Sequence, residues 1–319
     1  MIHAEQLPLF PLTETPPTPG PQPAQPQGGL TGDSSLSQAI GAFQPYMRQQ
    51  GFTQHTINSF LGDLSLLTRY LGKNRSVGQI TTTDLQEFLD YLVHGRGQPC
   101  NPKSYARRLT TLKVFFGWLA QTEVLPRDPA ASIVHQPVST PLPLILFDDQ
   151  VARLIEAGER LRTGEKPDAR PLLLFHLLLT TGIKKAECMA IKLSDLDLSN
   201  PESPVLYIRY SDTRRRHKER KLALGPGFVS LSQEYRTQYH PQINLFECTN
   251  RNLEYVLRDL GMLAGVETPI SFETLRMTCA VRDYRRGVPL EALRLKLGLS
   301  RLSWEDTSVK IERLAASPL

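Results

Sequence analysis

The sequence predicts a mainly α-helical protein of two folded domains, the second carrying one small antiparallel β-sheet. Three observations carry that expectation. The chain has 319 residues, too many for one small domain and enough for two. Apolar residues recur at helical spacing through most of it. Two short β-rich segments, 205–210 and 221–224, can close as a hairpin around a basic tip. Composition narrows the class: 40% hydrophobic and 22% charged residues are ordinary values for a soluble globular chain. The longest apolar run, 171–179, is too short to span a bilayer, and the N-terminus lacks a signal-peptide layout. Cys100, Cys188, Cys248 and Cys279 lie far apart, with no CxxC and no paired His spacing. Neither a disulfide scaffold nor a zinc site is expected, and a reducing cytosol is the expected compartment.

Residues 1–33 carry eight prolines and four glycines and read as a disordered tail, with LPLFPL as an alternative docking peptide. Residues 34–131 read as a helical domain. Leu36, Ile40, Phe43 and Met47 mark a first helix; Thr53 caps a second through Ile57, Phe60, Leu61, Leu64, Leu67 and Leu71. A third starts near residues 82–84 and presents Leu85, Phe88, Leu89 and Leu92. A fourth begins at Pro102 and carries Leu109, Leu112, Phe115, Phe116 and Leu119. Four such helices make a bundle.

Residues 126–143 hold five prolines, and a linker is placed at 132–147. The second domain, 148–319, opens with a helix capped by Asp148 or Asp149 and running through Val151, Leu154 and Ile155. The apolar segment 171–180 ends at Gly182, and a short helix follows through Glu187 and Ile191. After the hairpin, Ser271 and Gly287 bracket one helix and Gly298 ends the next. Ser303 opens the last, with Asp306 in capping-box position.

Lys plus Arg number 37 against 32 Asp plus Glu, a small excess that is unevenly spread. Residues 209–221 hold seven basic side chains against Asp212 and Glu219, and residues 276–301 hold seven against Asp283 and Glu291. Between His94 and Thr122 lie Arg96, Lys103, Arg107, Arg108 and Lys113, with no acid. Basic faces suggest a polyanion, most often nucleic acid. Solvated helix and hairpin surfaces are the alternative.

Motifs in a fixed order resemble the tyrosine recombinase (phage integrase) family over about residues 34–314. GFTQHTINSFLGDLSLLTRYL, ITTTDLQEFLDYL and RRLTTLKVFFGWLAQTEVLPRDPA are similar to its helical, SAM-like core-binding domain. LLLTTGIKKAECMAIKLSDLDL, HKERKLALG and ISFETLRMTCAVRDYRRGVPLEALRLKLGLS are similar to its α+β catalytic domain. The resemblance implies two domains clamping a DNA duplex and a tyrosine that attacks the scissile phosphate. It also implies two arginines on the phosphoryl oxygens, a hairpin lysine as proton donor, and two assisting His or His/Trp positions. No cofactor is implied, because the phosphotyrosine link conserves bond energy.

Placed on those motifs, the sequence departs at most chemical positions. Lys184 stands at the first arginine, keeping the charge but losing the bidentate fork. Arg215 stands at the hairpin lysine, with Lys218 as the alternative, and an arginine is a poor proton donor. Glu273 replaces the histidine before the second arginine and would repel a phosphate; the second arginine survives as Arg276. Leu299 stands at the His/Trp position, and Ser308, nine residues on, at the nucleophile. No tyrosine follows Tyr284. That residue lies eight past Arg276, about 12 Å along one helix, too far for both to meet one phosphate. Ser308 has no histidine nearby to activate it.

The sequence therefore points to a cytoplasmic protein, nucleoid-associated when bound, that binds double-stranded DNA with a degenerate catalytic site. Lys103, Arg107 and Arg108 from the first domain, and Lys184, Arg214, Arg215, Lys218, Arg220 and Arg276 from the second, are the expected contacts. No cofactor, metal or membrane partner is expected. An active recombinase is the expected partner, or a second copy docked through the C-terminal helix at 303–314. Two alternatives stand: an active recombinase with Tyr284 or Ser308 as nucleophile, and a protein-interaction scaffold that has lost DNA binding.

Overall fold

Helix starts in the first part of the chain are set by side chains only a few residues away. In α1 (Leu36–Gln49), Ser35 Oγ accepts the Gln38 N–H while Gln38 Oε1 accepts the Ser35 N–H. Thr53 caps α2 (Gln54–Leu71), and Thr81 and Asp84 cap each other at α3 (Thr82–Asp90). Asn101 caps α4 (Pro102–Gln121), whose first position is the proline. The apolar faces meet in one core through Phe43, Leu64, Leu67, Phe88, Phe115 and Phe116. The computed structural model describes residues 29–134, 141–225 and 227–316, and the chain divides into two units, Met1–Thr140 and Pro141–Leu319.

The edges of the units differ from expectation. Leu30 packs against the first core and Gly32 O accepts the Gly78 N–H at 2.8 Å, so folded chain begins before Ser34. Ile133 is buried in the first core and Leu146 in the second, which shortens the expected linker at both ends. Most of the expected tail (1–28) and the middle of the linker (135–140) lie outside the described residues.

The second unit runs α5 (Asp148–Thr163), α6 (Arg170–Thr181), α7 (Lys185–Ala190), β1 (Leu196–Asp197), β2 (Val205–Ile208) and β3 (Arg220–Ala223). It continues with α8 (Phe228–Tyr239), α9 (Asn250–Leu263), α10 (Phe272–Arg285), α11 (Leu290–Lys296) and α12 (Arg301–Ala316). Helix α6 is apolar on every side, and α5, α8, α9, α10 and β3 pack round it. The strands form one antiparallel sheet in the order β1-β2-β3, with Leu206 opposite Leu222 and Ile208 opposite Arg220. Strand β2 ends two residues earlier than expected, because the Tyr210 N–H turns to Glu219 Oε1 at 2.9 Å. The basic tip is wound into a 3-10 turn, Thr213–Lys218.

Two helix starts are corrected. Gln150 Oε1 accepts the Phe147 N–H at 3.0 Å, so Asp148 and Asp149 lie inside the first turn of α5. There they favour the helix dipole without capping it. Ser300 Oγ accepts the Ser303 N–H at 3.3 Å, so α12 starts at Arg301 and Asp306 pairs with Lys310. A small second core of Met277, Ala280, Val281, Leu297, Ile311 and Leu314 docks α12 on α10 of the same chain. Arg285 fastens it by donating to Leu314 O and Ala315 O at 3.1–3.2 Å.

Between α2 and α4 of the first unit sits a buried carboxylate. Asp63 accepts from Arg107 at 2.6 Å and from Thr111 Oγ1 at 3.0 Å, with Arg108 Nε 3.4 Å away. Burial raises its pKa, and Arg107, Thr111 and Arg108 pull against that. Asp63→Ala leaves the covered Arg108 without its carboxylate, and a loss of about 2–4 kcal/mol is expected. Urea unfolding followed by Trp118 fluorescence in a Trp304→Phe background checks this; an unchanged midpoint would contradict it.

Candidate nucleic-acid interface

The turn that ends α6 places the first candidate residue. Gly182 has φ 59°, and a Cβ there would press on Leu297 and Cys279. The chain then buries Ile183 and presents Lys184 at the start of α7, where its N–H donates to Glu187 Oε2 at 2.8 Å. Glu187 is itself buried. Arg220 of β3 grips both its oxygens at 2.9–3.0 Å, and the Tyr210 hydroxyl donates to Oε1. Burial alone would raise the Glu187 pKa; the Arg220 fork, Tyr210 and the Lys184 N–H outweigh it and hold it at about 2. Burial pushes the Lys184 ammonium down to about 8, and the Arg276 charge adds to this.

Three of the expected phosphate contacts are directed at backbone instead. Arg276 of α10 is 7% exposed and donates to Gly182 O and, at 2.7 Å, to Leu297 O. Arg220 Nε reaches Lys296 O at 2.7 Å and Lys184 Nζ reaches Gly298 O at 3.2 Å. In the first unit Arg107 and Arg108 turn to Asp63, and the Arg108 side chain is only 14% exposed, while Lys103 is exposed. The Arg107 side chain remains 40% exposed: a basic run gives charge, and a distant acid decides its direction.

Other cations do face outward. Arg214, Arg215 and Arg216 are exposed on the hairpin tip, and Lys218 is half-buried beside them. A cavity of about 790 Å³ runs behind the tip, lined by Lys184, Tyr207, Arg209, Tyr210, Arg215 and Lys218 among others. A second, of about 480 Å³, is lined by Lys184, Lys185, Glu254, Ser271, Glu273 and Arg276. The exposed Glu273 thus puts negative charge beside the two cations that sequence assigned to a phosphate. On α9, Tyr255 is exposed between Arg251 and Arg258, whose guanidinium carbons lie 5.7 and 4.6 Å from its ring centre. Sequence reading missed this stripe, although the i, i+4, i+7 spacing of Arg, Tyr and Arg was there to find. It also missed Glu187 and Tyr210.

Three of the positions that the resemblance singled out make ordinary packing or helix contacts. Leu299 rests against the α10–α12 core, as does Tyr284. Ser308 Oγ donates to the Glu305 carbonyl of its own helix at 3.1 Å. Among the described residues there is no cluster of three or more His, Cys, Asp or Glu that could hold a metal, and no helix long and apolar enough to cross a membrane.

Residues 40–123 match the family described as "Phage integrase, N-terminal SAM-like domain", and residues 145–305 match "Phage integrase family". The chain is similar to tyrosine recombinase XerC of Staphylococcus carnosus, 28% identical over 261 residues that cover 79% of this chain and 85% of that one. It is similar to tyrosine recombinase XerD of Listeria innocua, 22% identical over 280 residues covering 83% and 91%. In fold it is similar to a lambda integrase dimer bound to a COC' core site, with TM-score 0.68, 15% identity and coverage of 90% and 80%. XerH site-specific recombinase bound to palindromic difH substrate gives TM-score 0.67 at 20% identity, covering 88% and 82%.

The Glu187–Arg220 pair sets a pH dependence. A folded-state pKa of about 2, below the ordinary 4.5, means that its contribution to stability is complete above pH 4.5 and is lost as pH falls toward 2. The stability gap between the chain and Glu187→Gln should be flat between about pH 5 and 7 and close below pH 4.5. A gap that stays constant down to about pH 2.5 in denaturant titrations would contradict the pairing.

Proposed function

The chain belongs to the phage integrase family, and we propose that within it this protein is a double-stranded DNA binder without strand-transfer chemistry. It acts in the cytoplasm beside an active recombinase, or as a regulator bound at a recombination-type site. One observation carries this reading: the nucleophile position holds Ser308, whose hydroxyl is bonded to its own helix, and residues 285–319 contain no tyrosine. Without a nucleophile no covalent link can store the energy of the broken phosphodiester.

The surrounding changes point the same way. Lys184 is a point charge where a planar fork would span two phosphoryl oxygens. Glu273 adds negative charge where the transition state is most anionic, and Leu299 offers no donor. Removing one such donor typically lowers a rate by about 10²–10³. Tyr284 is held by packing on α10, about 12 Å along the helix from Arg276. Ser308 has no histidine in its own helix to activate it.

DNA binding is supported by the outward cations on the hairpin tip, by the Arg251–Tyr255–Arg258 stripe, and by solved relatives whose own descriptions are of DNA complexes. Binding carried by phosphate contacts weakens with salt, log K falling by about 0.9 per phosphate neutralised. The test is a gel shift on pooled genomic duplex fragments at two salt concentrations, with denaturing gels of the same samples. A salt-sensitive shift that disappears on denaturation is expected. A protein–DNA band that survives denaturation, or a shift indifferent to salt, would overturn the proposal.

A further inference from the structure

Helix α11 ends at Lys296. Leu293 O accepts the Leu297 N–H, Leu295 O the Gly298 N–H and Arg294 O the Leu299 N–H. The carbonyls of residues 296–299 receive no backbone N–H, and they stand at the helix's negative end. Each of the four receives a cation, and three of those cations come from other elements. Arg220 of β3 donates to Lys296 O at 2.7 Å, and Arg276 of α10 to Leu297 O at 2.7 Å. Lys184, from the start of α7, donates to Gly298 O at 3.2 Å, and Arg294 to Leu299 O at 2.9 Å. The fit is close: Gly298 has φ 59°, and a Cβ on it would lie 2.7 Å from Arg220 Nη1.

We infer that Lys184, Arg220 and Arg276, the remnant of a phosphate site, serve in this chain as an internal cap on α11, and that DNA phosphates are held outside it by Arg214 and Arg215. The DNA half of this inference rests on the function proposed above; the capping half does not. Exposure separates the two sets. The Arg276 residue is 7% exposed and the Arg220 side chain 9%, against 78% for the Arg214 side chain. A duplex phosphate could reach the covered guanidinium groups only by displacing the carbonyls they already hold. The cap also fixes the start of the last helix, because the 296–299 turn delivers Leu297 and Leu299 into the core that docks α12 on α10. The depressed Lys184 pKa agrees with an ammonium kept from water.

The full chain tests this with two readouts, amide exchange of the peptide spanning 293–304 and affinity for a duplex at fixed salt. In Arg276→Gln, exchange should rise about tenfold or more, as expected when a helix end loses its cap. Its duplex affinity should change by less than about threefold. In Arg214→Glu/Arg215→Glu, exchange should stay as it was and affinity fall by about tenfold or more. If Arg276→Gln does not fold, Lys184→Met makes the same comparison at the Gly298 carbonyl. A tenfold loss of affinity in either variant would make the cluster a phosphate contact and overturn the DNA half. Unchanged exchange would overturn the cap. Failure of the intact chain to bind any duplex would sink the proposed function and the DNA half together, and exchange would still decide the cap.

Discussion

A carboxylate shut away from water is tolerable only when its charge is answered, and Glu187 is answered on every side. Desolvation costs several kcal/mol per ion, so the pair it forms with Arg220 holds only because both its oxygens are filled. Tyr210 and the Lys184 N–H complete the set. That one buried group ties β3, the second residue after β2 and the start of α7 to a single point. It also aims Arg220, whose Nε then meets the end of α11. The sheet, the α6–α7 turn and the last two helices thereby acquire a fixed relation.

What could be read from sequence divides along the same physical line. Helices α1 to α4 were legible because their apolar residues recur at helical spacing and local signals such as Thr53 and Pro102 mark a start. The Ser35–Gln38 and Thr81–Asp84 caps stand equally close to the groups they satisfy. The starts of α5 and α12 were misjudged for a related reason: Gln150 and Ser300 do the work that nearby Asp and Ser residues were expected to do. Strand β1 is two residues long and exists only through its pairing with β2, so no local pattern announces it.

The candidate site was legible by position and illegible by direction. The resemblance alone singled out Lys184, Arg276, Glu273, Leu299 and Ser308, without any geometry. Charge clusters also located the cations, yet not where they point. Asp63, more than forty residues from Arg107 and Arg108, draws both inward. The bare carbonyls of α11 do the same to Lys184, Arg220 and Arg276. Long-range partners of this kind carry no local signature. The hairpin tip, anchored by strands at both ends, keeps the outward orientation that the sequence suggested, as does Lys103.

These directions accord with the proposed function. In this chain Lys184, Arg220 and Arg276 are turned to its own backbone, and the Ser308 hydroxyl is bonded within its own helix. The most direct measurement is an experimental structure of the full chain bound to a duplex that it shifts in a gel. Phosphate oxygens are expected on Arg214 and Arg215, with Arg276 still donating to Leu297 O and Gly182 O. A phosphate within hydrogen-bond reach of Arg276 and Lys184 together, with the α11 end displaced, would contradict that expectation.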